Sequence, residues 1–381
     1  MNDPRTAFPF PARNSSQHGL LRVLLLDDRS SREAWAAWRQ RHDIEKIDYG
    51  SFKLLPMLYA RLRELEPADP LLSRLKGVYR MTLYHNHLLR HRAGGILGYL
   101  QHHGIHPLLL KGIPLLALHY RDWGVRRTHD IDILVPYAQQ ERARALLAGH
   151  AAWKRFARRP LHPRAHHGET WHADGFQLDL HWHSLHEALY RDNGDAALPE
   201  HADTLQLDDV TVPAAGAPDL LFQSCIHGTR RDSPQDAYRL VDVVTLIRSR
   251  PNSLDWDRVD ELATRLHLRL RVHTVLSYLT DEFGVDVPRD LRGAPGERYA
   301  PVEHLEARRL WRRPGITGLL PIHWCYYHRS FADGRVPLTR VLGFPRFLHR
   351  RWGLTSTTQF AAYVARACAR RFRRHLWNGA A

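Results

Sequence analysis

Two aspartates that alternate with isoleucines are the residues of this chain best suited to chemistry. Asp130 and Asp132 alternate with Ile131 and Ile133, and an apolar Leu-Val pair follows them. Side chains point to opposite faces along a β-strand, so this spacing predicts a strand with both carboxylates on one face. Two adjacent carboxylates repel each other unless a cation lies between them, and such oxygen ligands suit Mg²⁺. The pattern therefore predicts a divalent-cation site.

A second strand-like segment supplies a third carboxylate. Asp179 lies between Leu178 and Leu180, with the same alternation of polar and apolar positions. If the two strands are neighbours, three carboxylates converge, and such a set can hold two Mg²⁺ ions, or Mn²⁺, around a nucleoside triphosphate. We expect Asp130, Asp132 and Asp179 to be catalytic metal ligands. Asp179 is also expected to accept the proton of an acceptor hydroxyl as a general base.

A Lys-Gly pair upstream of these strands is suited to binding phosphate. Lys111 and Gly112 follow three leucines that predict the end of a buried strand, and they precede a helix-like run at 113–120. A glycine turn at the start of a helix brings backbone N–H groups against phosphate oxygens. Lys111 and Gly112 are therefore expected to bind the nucleotide, with the ammonium neutralising the triphosphate. The alternative is a surface lysine at a strand end.

Arginines and histidines near the carboxylates complete the candidate site. Arg126 and Arg127 precede the first strand, and one of them is expected to reach the triphosphate or the leaving pyrophosphate, with solvated turn arginines as the alternative. His181 shares the strand face of the third aspartate and is expected to contact the nucleotide or to orient a carboxylate. A zinc site built from His181, His183 and His186 is a further alternative, since imidazoles at such spacing can be ligands.

Together these segments resemble the nucleotidyltransferase superfamily, whose palm is polymerase-β-like. The run LLKG…Y…R…DIDILV…LDLHW is similar to a bacterial family of uncharacterised nucleotidyltransferases, over about residues 108–247. Most superfamily members carry Gly-Ser in the glycine turn, where this chain has Lys111 and Gly112. The resemblance implies that Arg127 is the arginine that binds the nucleotide. It also implies that His227 and Asp242 match later helical positions of the family, with simple packing as the alternative for both.

The elements around these residues predict the fold class. Apolar residues at helical spacing predict helices from Gly19 to about residue 103, including one that starts near Ser30 and others at 49–65 and 71–102, and again from about 218 onward. Strand-like segments lie within about 106–182. We therefore predict an α+β fold, in which a nucleotidyltransferase-type mixed-sheet palm is flanked by N-terminal and C-terminal helical regions.

Four regions follow from this pattern. We predict an N-terminal helical region at 1–104, a nucleotidyltransferase catalytic core at 105–215, a helical region completing the active-site cleft at 216–290, and a basic C-terminal helical extension at 291–381. The extension contains a basic amphipathic helix at 365–377. This helix is expected to bind RNA or an anionic membrane surface, with a solvated helix as the alternative.

The charge of the chain favours anionic partners. Its 381 residues carry a formal net charge of +15, which reflects either such partners or an arginine-rich composition. No apolar run approaches the ~18 residues of a membrane helix, and the first residues lack the pattern of a secretory signal. Three cysteines show no metal-ligand spacing. We therefore expect a cytoplasmic protein without a transmembrane segment.

The favoured function is a Mg²⁺-dependent nucleotidyltransferase. It would transfer a nucleoside monophosphate from an NTP, with ATP as the default donor, to a hydroxyl acceptor and release pyrophosphate. The acceptor could be a peptide or protein, an RNA or a small molecule. Two alternatives from other classes are a non-catalytic RNA- or anion-binding protein on a degenerate nucleotidyltransferase fold, and a zinc-dependent hydrolase.

Overall fold

The structure is a computed structural model that describes most of the chain. It describes residues 8, 10–156, 161–189, 198–230, 236–293, 297–310, 316–329, 338–354, 356, 358 and 359. Within these residues, 13 α-helices accompany a seven-stranded mixed sheet, which confirms the predicted fold class. The basic helix predicted at 365–377 lies outside the described residues. No described helix combines the length and the apolar character needed to cross a membrane.

The sheet has the order β3-β4-β5-β2-β1-β7-β6. Two neighbouring pairs, β2–β5 and β1–β7, are parallel, and the other pairs are antiparallel. The β6–β7 hairpin extends the sheet beyond the strands that the sequence patterns predicted. The strands are β1 Leu108–Leu109, β2 Asp130–Leu134, β3 Lys154–Arg155, β4 Gly168–Ala173, β5 Phe176–His181, β6 Asp203–Leu207 and β7 Val210–Ala214.

Four helices precede the sheet and two flank or follow its first strands. They are α1 Ser16–Leu25, α2 Asp28–Arg41, α3 Tyr49–Leu65, α4 Leu72–His102, α5 Gly112–Pro114 and α6 Gln140–Gly149. The start predicted near Ser30 is wrong by two residues. Asp27 is the N-cap of α2, and its carboxylate accepts a hydrogen bond from the Ser30 N–H at 3.0 Å. An aspartate at this position satisfies an N–H group that the helix itself leaves unpaired.

Helices also follow the sheet, as the sequence patterns predicted. They are α7 Ala217–Gly228, α8 Tyr238–Ser249, α9 Trp256–Arg265, α10 Arg269–Phe283, α11 Pro301–Leu310, α12 Ile316–Arg329 and α13 Leu338–Arg351. A large buried apolar cluster joins α7, α8, α9 and α10 to the N-terminal helices, because it contains side chains from Leu20 in α1 to Phe283 in α10.

Strand alternation separates an apolar face of the sheet from a polar one. Ile131, Ile133, Leu178 and Leu180 are fully buried in a cluster that includes side chains of α4 and α6. The aspartates between them point to the opposite face. The sheet is therefore covered on one side by α4 and α6 and presents its carboxylates on the other.

Helix α4 fixes the loop that leads into β2. Asn86 Nδ2 donates to the carbonyl oxygens of Trp123 at 2.6 Å and Arg126 at 2.8 Å, and Asn86 Oδ1 accepts from the Thr128 N–H at 3.1 Å. His85 Nε2 donates to the Thr128 carbonyl at 2.9 Å. These bonds hold the loop rigidly just before the first carboxylate of β2.

Candidate active site

The site is built on the parallel pairing of β2 and β5. In this register Asp132 lies opposite Asp179, and Asp130 lies opposite Gln177. Thr170 lies opposite Asp179 on the other side, in β4. The prediction of converging carboxylates required the two strands to be neighbours, and β2 and β5 are neighbours. Because paired residues in a sheet point to the same face, Asp132 and Asp179 lie on one face.

A possible metal-binding group lies at the centre of this arrangement. Ligand atoms of Asp132, Asp179 and His181 lie within 4.8 Å of one another, and they form the one such group of three or more among the described residues. His181 Nε2 lies 2.8 Å from Asp132 Oδ1. Two carboxylates and an imidazole fit a divalent cation, and the carboxylate oxygens suit Mg²⁺ or Mn²⁺. Asp130 lies outside this group, at the start of β2.

The carboxylates destabilise one another when they are ionised. Burial, followed by the charges of Asp132 and Asp130, raises the pKa of Asp179 to about 6. Burial and the charge of Asp132 also raise the pKa of Asp130. Thr170 Oγ1 at 2.7 Å and Gln177 Nε2 at 3.1 Å donate to Asp179 Oδ1 and partly offset this cost. A bound cation would remove the repulsion, so the electrostatics of the cluster fit a metal site.

Lys111 reaches into the carboxylate cluster. Its ammonium contacts Asp132 Oδ1 and lies 3.4 Å from His181 Nε2. The alternative of a surface lysine is therefore wrong. The backbone of Lys111 has φ 57° and ψ −116°, a conformation that favours glycine. Such strain is often found at functional sites, where the surrounding structure imposes it.

Gly112 is required by the close packing of this turn. A Cβ atom at this position would lie 2.6 Å from both Cγ2 and Oγ1 of Thr128. The helix that follows differs from the regular helix predicted at 113–120. Only Gly112–Pro114 forms an α-helical turn, and Leu115–Tyr120 is a π-helix. Helical segments of this rare type occur frequently at functional sites.

The two arginines before β2 have different surroundings. Arg126 is buried; its Nε donates to Asp242 Oδ1 at 2.7 Å, and its guanidinium lies 5.0 Å from the ring centre of Tyr238. The Tyr120 hydroxyl also donates to Asp242 Oδ1, at 2.8 Å. Arg126 and Asp242 therefore form a buried ion pair. The Nε atom of Arg127 is buried and has no hydrogen-bond partner among the described residues.

The histidines of the HWHSLH segment do not converge. His181 contacts Asp132, the His183 ring lies 5.5 Å from that of Tyr137, and His186 Nδ1 lies 3.3 Å from His167 Nδ1. The zinc site proposed from His181, His183 and His186 therefore has no geometric support within the described residues. His227 is buried in α7 with Nδ1 3.2 Å from Arg230 Nη1, and burial followed by that arginine holds its pKa well below the usual range.

Several residues of the site escaped the sequence patterns. Thr170 and Gln177 bind Asp179, yet single polar residues in strands carry no specific signal. The alternation of residues along the strand was the one pattern that could have found them. In β4 it puts Thr170, between Glu169 and Trp171, on the polar face. His181 was expected as a nucleotide contact or an orienting residue, whereas its geometry also suits a metal ligand.

Comparisons with known proteins identify the family of the chain. A solution structure of the antibiotic-resistance factor ANT(2'')-Ia is similar at 12% identity, covering 48% of this chain and 88% of that chain with a TM-score of 0.30. No curated protein matches the chain. The model of a family described as uncharacterised nucleotidyltransferase matches residues 51–284, which contain the Lys-Gly turn and all three aspartates. The chain therefore belongs to the uncharacterised nucleotidyltransferase family.

Proposed function

We propose that this protein transfers a nucleoside monophosphate from an NTP, with ATP as the donor, to a hydroxyl acceptor and releases pyrophosphate. One observation carries the proposal. Asp132 and Asp179 lie opposite each other on neighbouring parallel strands, with the Lys111 ammonium against Asp132. Two facing carboxylates with an ammonium beside them support the proposal, because nucleotidyl transfer needs cation-binding and phosphate-binding groups side by side.

Asp130, Asp132, Asp179 and His181 would hold Mg²⁺, or Mn²⁺. When bound, the cation neutralises the triphosphate and makes the acceptor hydroxyl more acidic. Lys111, Gly112 and Arg127 bind the phosphates and fix their orientation, and His181 also orients Asp132. Positioning and charge neutralisation of this kind account for most of the catalysis in phosphoryl-group chemistry.

Asp179 is the proposed general base. With a pKa of about 6 it is mostly ionised at neutral pH and can accept the proton of the acceptor hydroxyl. The acceptor oxygen then forms a bond to the α-phosphorus, the bond from that phosphorus to the bridging oxygen breaks, and pyrophosphate leaves. The acceptor is a hydroxyl of a peptide or protein, an RNA or a small molecule.

Transfer of label from α-³²P NTPs tests the proposal. Each NTP is incubated with Mg²⁺ or Mn²⁺, the purified protein, and total RNA or a peptide extract. Asp132→Asn and Asp179→Asn remove the proposed ligands. Asp174→Asn is the matched control, because Asp174 lies in the turn of the β4–β5 hairpin, which also contains Asp179. Asparagine tolerates the φ of 48° at this position as well as aspartate does.

We expect label from wild type and Asp174→Asn and none from the site variants. The labelled product would identify the acceptor class. If no NTP gives label, and calorimetry shows no NTP binding, the enzyme proposal is overturned in favour of the non-catalytic anion-binding protein.

A further inference from the structure

Three side chains outside the carboxylate cluster form a connected row that ends beside it. Arg351 at the end of α13 contacts His186 Nε2 through Nη2. His186 Nδ1 lies 3.3 Å from His167 Nδ1. The His167 ring lies 5.1 Å from the ring of His181, measured between centroids. Through His181 the row reaches Asp132.

The chemistry of these groups fixes where the protons lie. A guanidinium group only donates hydrogen bonds, so His186 Nε2 must accept from Arg351 and carries no proton. Neutral His186 then has its proton on Nδ1, which donates to Nδ1 of His167. His167 therefore carries its own proton on Nε2. Each contact in the row has one donor and one acceptor only in this arrangement.

The Nε2–H group of His167 is free to bind a ligand. The described residues supply no hydrogen-bond partner to His167 Nε2, and the His167 side chain is only partly buried. The Lys111 ammonium lies 3.4 Å from Nε2 of His181, whose ring neighbours that of His167, and Arg351 contacts His186. An N–H donor with cations nearby and beside a carboxylate cluster suits an anionic oxygen.

We propose that His167 binds a phosphate oxygen of the NTP through Nε2–H, and that His186 and Arg351 are positioning residues that fix its tautomer. The inference rests on the proposed nucleotidyl transfer. It also adds a residue from outside the family match to the site, because Arg351 lies beyond residue 284, where that match ends.

Two amide substitutions distinguish the roles of the two ring nitrogens of His167. Asparagine places its amide near the position of Nδ1, whereas glutamine reaches the position of Nε2. We expect His167→Asn to raise the KM and the Kd for NTP about 10- to 100-fold, the effect of losing a hydrogen bond to a charged group. His167→Gln should stay within a few-fold of wild type. A purely structural role would give no such preference for glutamine.

Nitrogen NMR reads the tautomer without relying on activity. The full-length protein is labelled with ¹⁵N-histidine, and the His167→Asn spectrum identifies the His167 signals among those of the 27 histidines. We expect a protonated Nε2 in wild type, which shifts when inorganic triphosphate is added. Arg351→Met should shift the proton of His167 from Nε2 toward Nδ1 and weaken NTP binding. In a protein that already carries His167→Asn, Arg351→Met should weaken NTP binding little further.

The outcomes distinguish this inference from the function on which it rests. If wild type binds NTP and transfers label but His167→Asn binds NTP equally well, the role of His167 is overturned and the proposed function stands. A His167 signal that does not respond to triphosphate in wild type also overturns the role, whatever the kinetics of the variants. If wild type itself binds no NTP, the proposed function and the role of His167 are both overturned.

Discussion

Asp132 and Asp179 face each other across two parallel strands, and the Lys111 ammonium contacts Asp132 from a turn that precedes both. The distance between the two carboxylates is therefore set by backbone pairing in the sheet rather than by a loop. A site of this kind is preorganised for a cation, and it carries the electrostatic cost of close negative charges when no cation is bound.

Asp179→Asn is expected to separate activity from stability. The raised pKa of Asp179 shows that its ionised form is disfavoured in the fold, so the neutral amide should stabilise the metal-free protein at pH 7 by about 1–2 kcal/mol. Nucleotide transfer should fall at least about 100-fold, because the base and a cation ligand are lost. Urea unfolding in EDTA and the ³²P assay measure the two effects. A destabilised Asp179→Asn protein would contradict the electrostatic explanation, with Asp174→Asn as the reference.

Lys111→Gly and Lys111→Ala should differ in stability although both lose the ammonium. The backbone at φ 57° strains alanine but not glycine, and relief of about 1–3 kcal/mol exceeds the extra unfolded-state entropy of glycine. We expect Lys111→Gly to be more stable than Lys111→Ala by about 1 kcal/mol in denaturant unfolding. Both should bind NTP more weakly than wild type. Equal stability of the two variants would show that the backbone relaxes without cost.

Arg126 and Arg127 are neighbours, but substitution by alanine should lower stability at Arg126 and weaken nucleotide binding at Arg127. Arg126→Ala leaves the buried Asp242 carboxylate without its guanidinium partner and should lower the free energy of unfolding by about 3–5 kcal/mol. Arg127→Ala should change that free energy by less than about 0.5 kcal/mol but raise the KM for NTP. Chemical denaturation and steady-state kinetics of both variants test the pair. An Arg127→Ala protein with unchanged KM would remove Arg127 from the nucleotide site.

His119 is expected to make the fold sensitive to acid. Its imidazole is buried in the π-helix with Nδ1 2.8 Å from Ser249 Oγ, and burial, followed by the charge of Arg250, lowers its pKa to about 4. The unfolded chain binds this proton near pH 6.5, so the folded state loses stability as the pH falls from about 6.5 to 4.

His119→Asn can retain the bond to Ser249 but cannot titrate. Between pH 6.5 and 4, the unfolding free energy of His119→Asn should fall by up to about 3 kcal/mol less than that of wild type. Urea titrations at pH 7, 6, 5 and 4.5 provide the comparison. Parallel curves for the two proteins would show that the pKa of His119 does not differ between the folded and unfolded states.

The strands and carboxylates could be predicted because their signal is local. The alternation around Asp130, Asp132 and Asp179 indicates a strand with one polar face regardless of the rest of the chain. Helices such as α3 were equally predictable, since their apolar residues recur at helical spacing. The start of α2 was predicted too late because aspartate and serine are about equally good N-caps, so the local pattern does not choose between Asp27 and the serines that follow it.

Interactions between distant parts of the sequence could not be predicted. Asp242 is 116 residues from Arg126, so only the packing of α8 against the π-helix reveals that it neutralises this arginine. The row from Arg351 to His167 likewise depends on the end of α13 lying against Ala165 and His186. The sequence patterns predicted no strand in the segment before α7, so the β6–β7 hairpin was missed. Which residues of a site touch one another is decided by tertiary packing, on which local patterns carry little information.

The contact between Lys111 and Asp132 partly neutralises the ligand-free centre. The ammonium competes with a divalent cation for the carboxylate, and the carboxylate competes with phosphate for the ammonium. A nucleotide that draws Lys111 away frees Asp132 for the cation, and a cation that takes Asp132 frees Lys111 for the nucleotide. Thermodynamic linkage requires these two enhancements to be equal. The free protein should therefore hold Mg²⁺ weakly and bind it together with the nucleotide, as a cooperative pair.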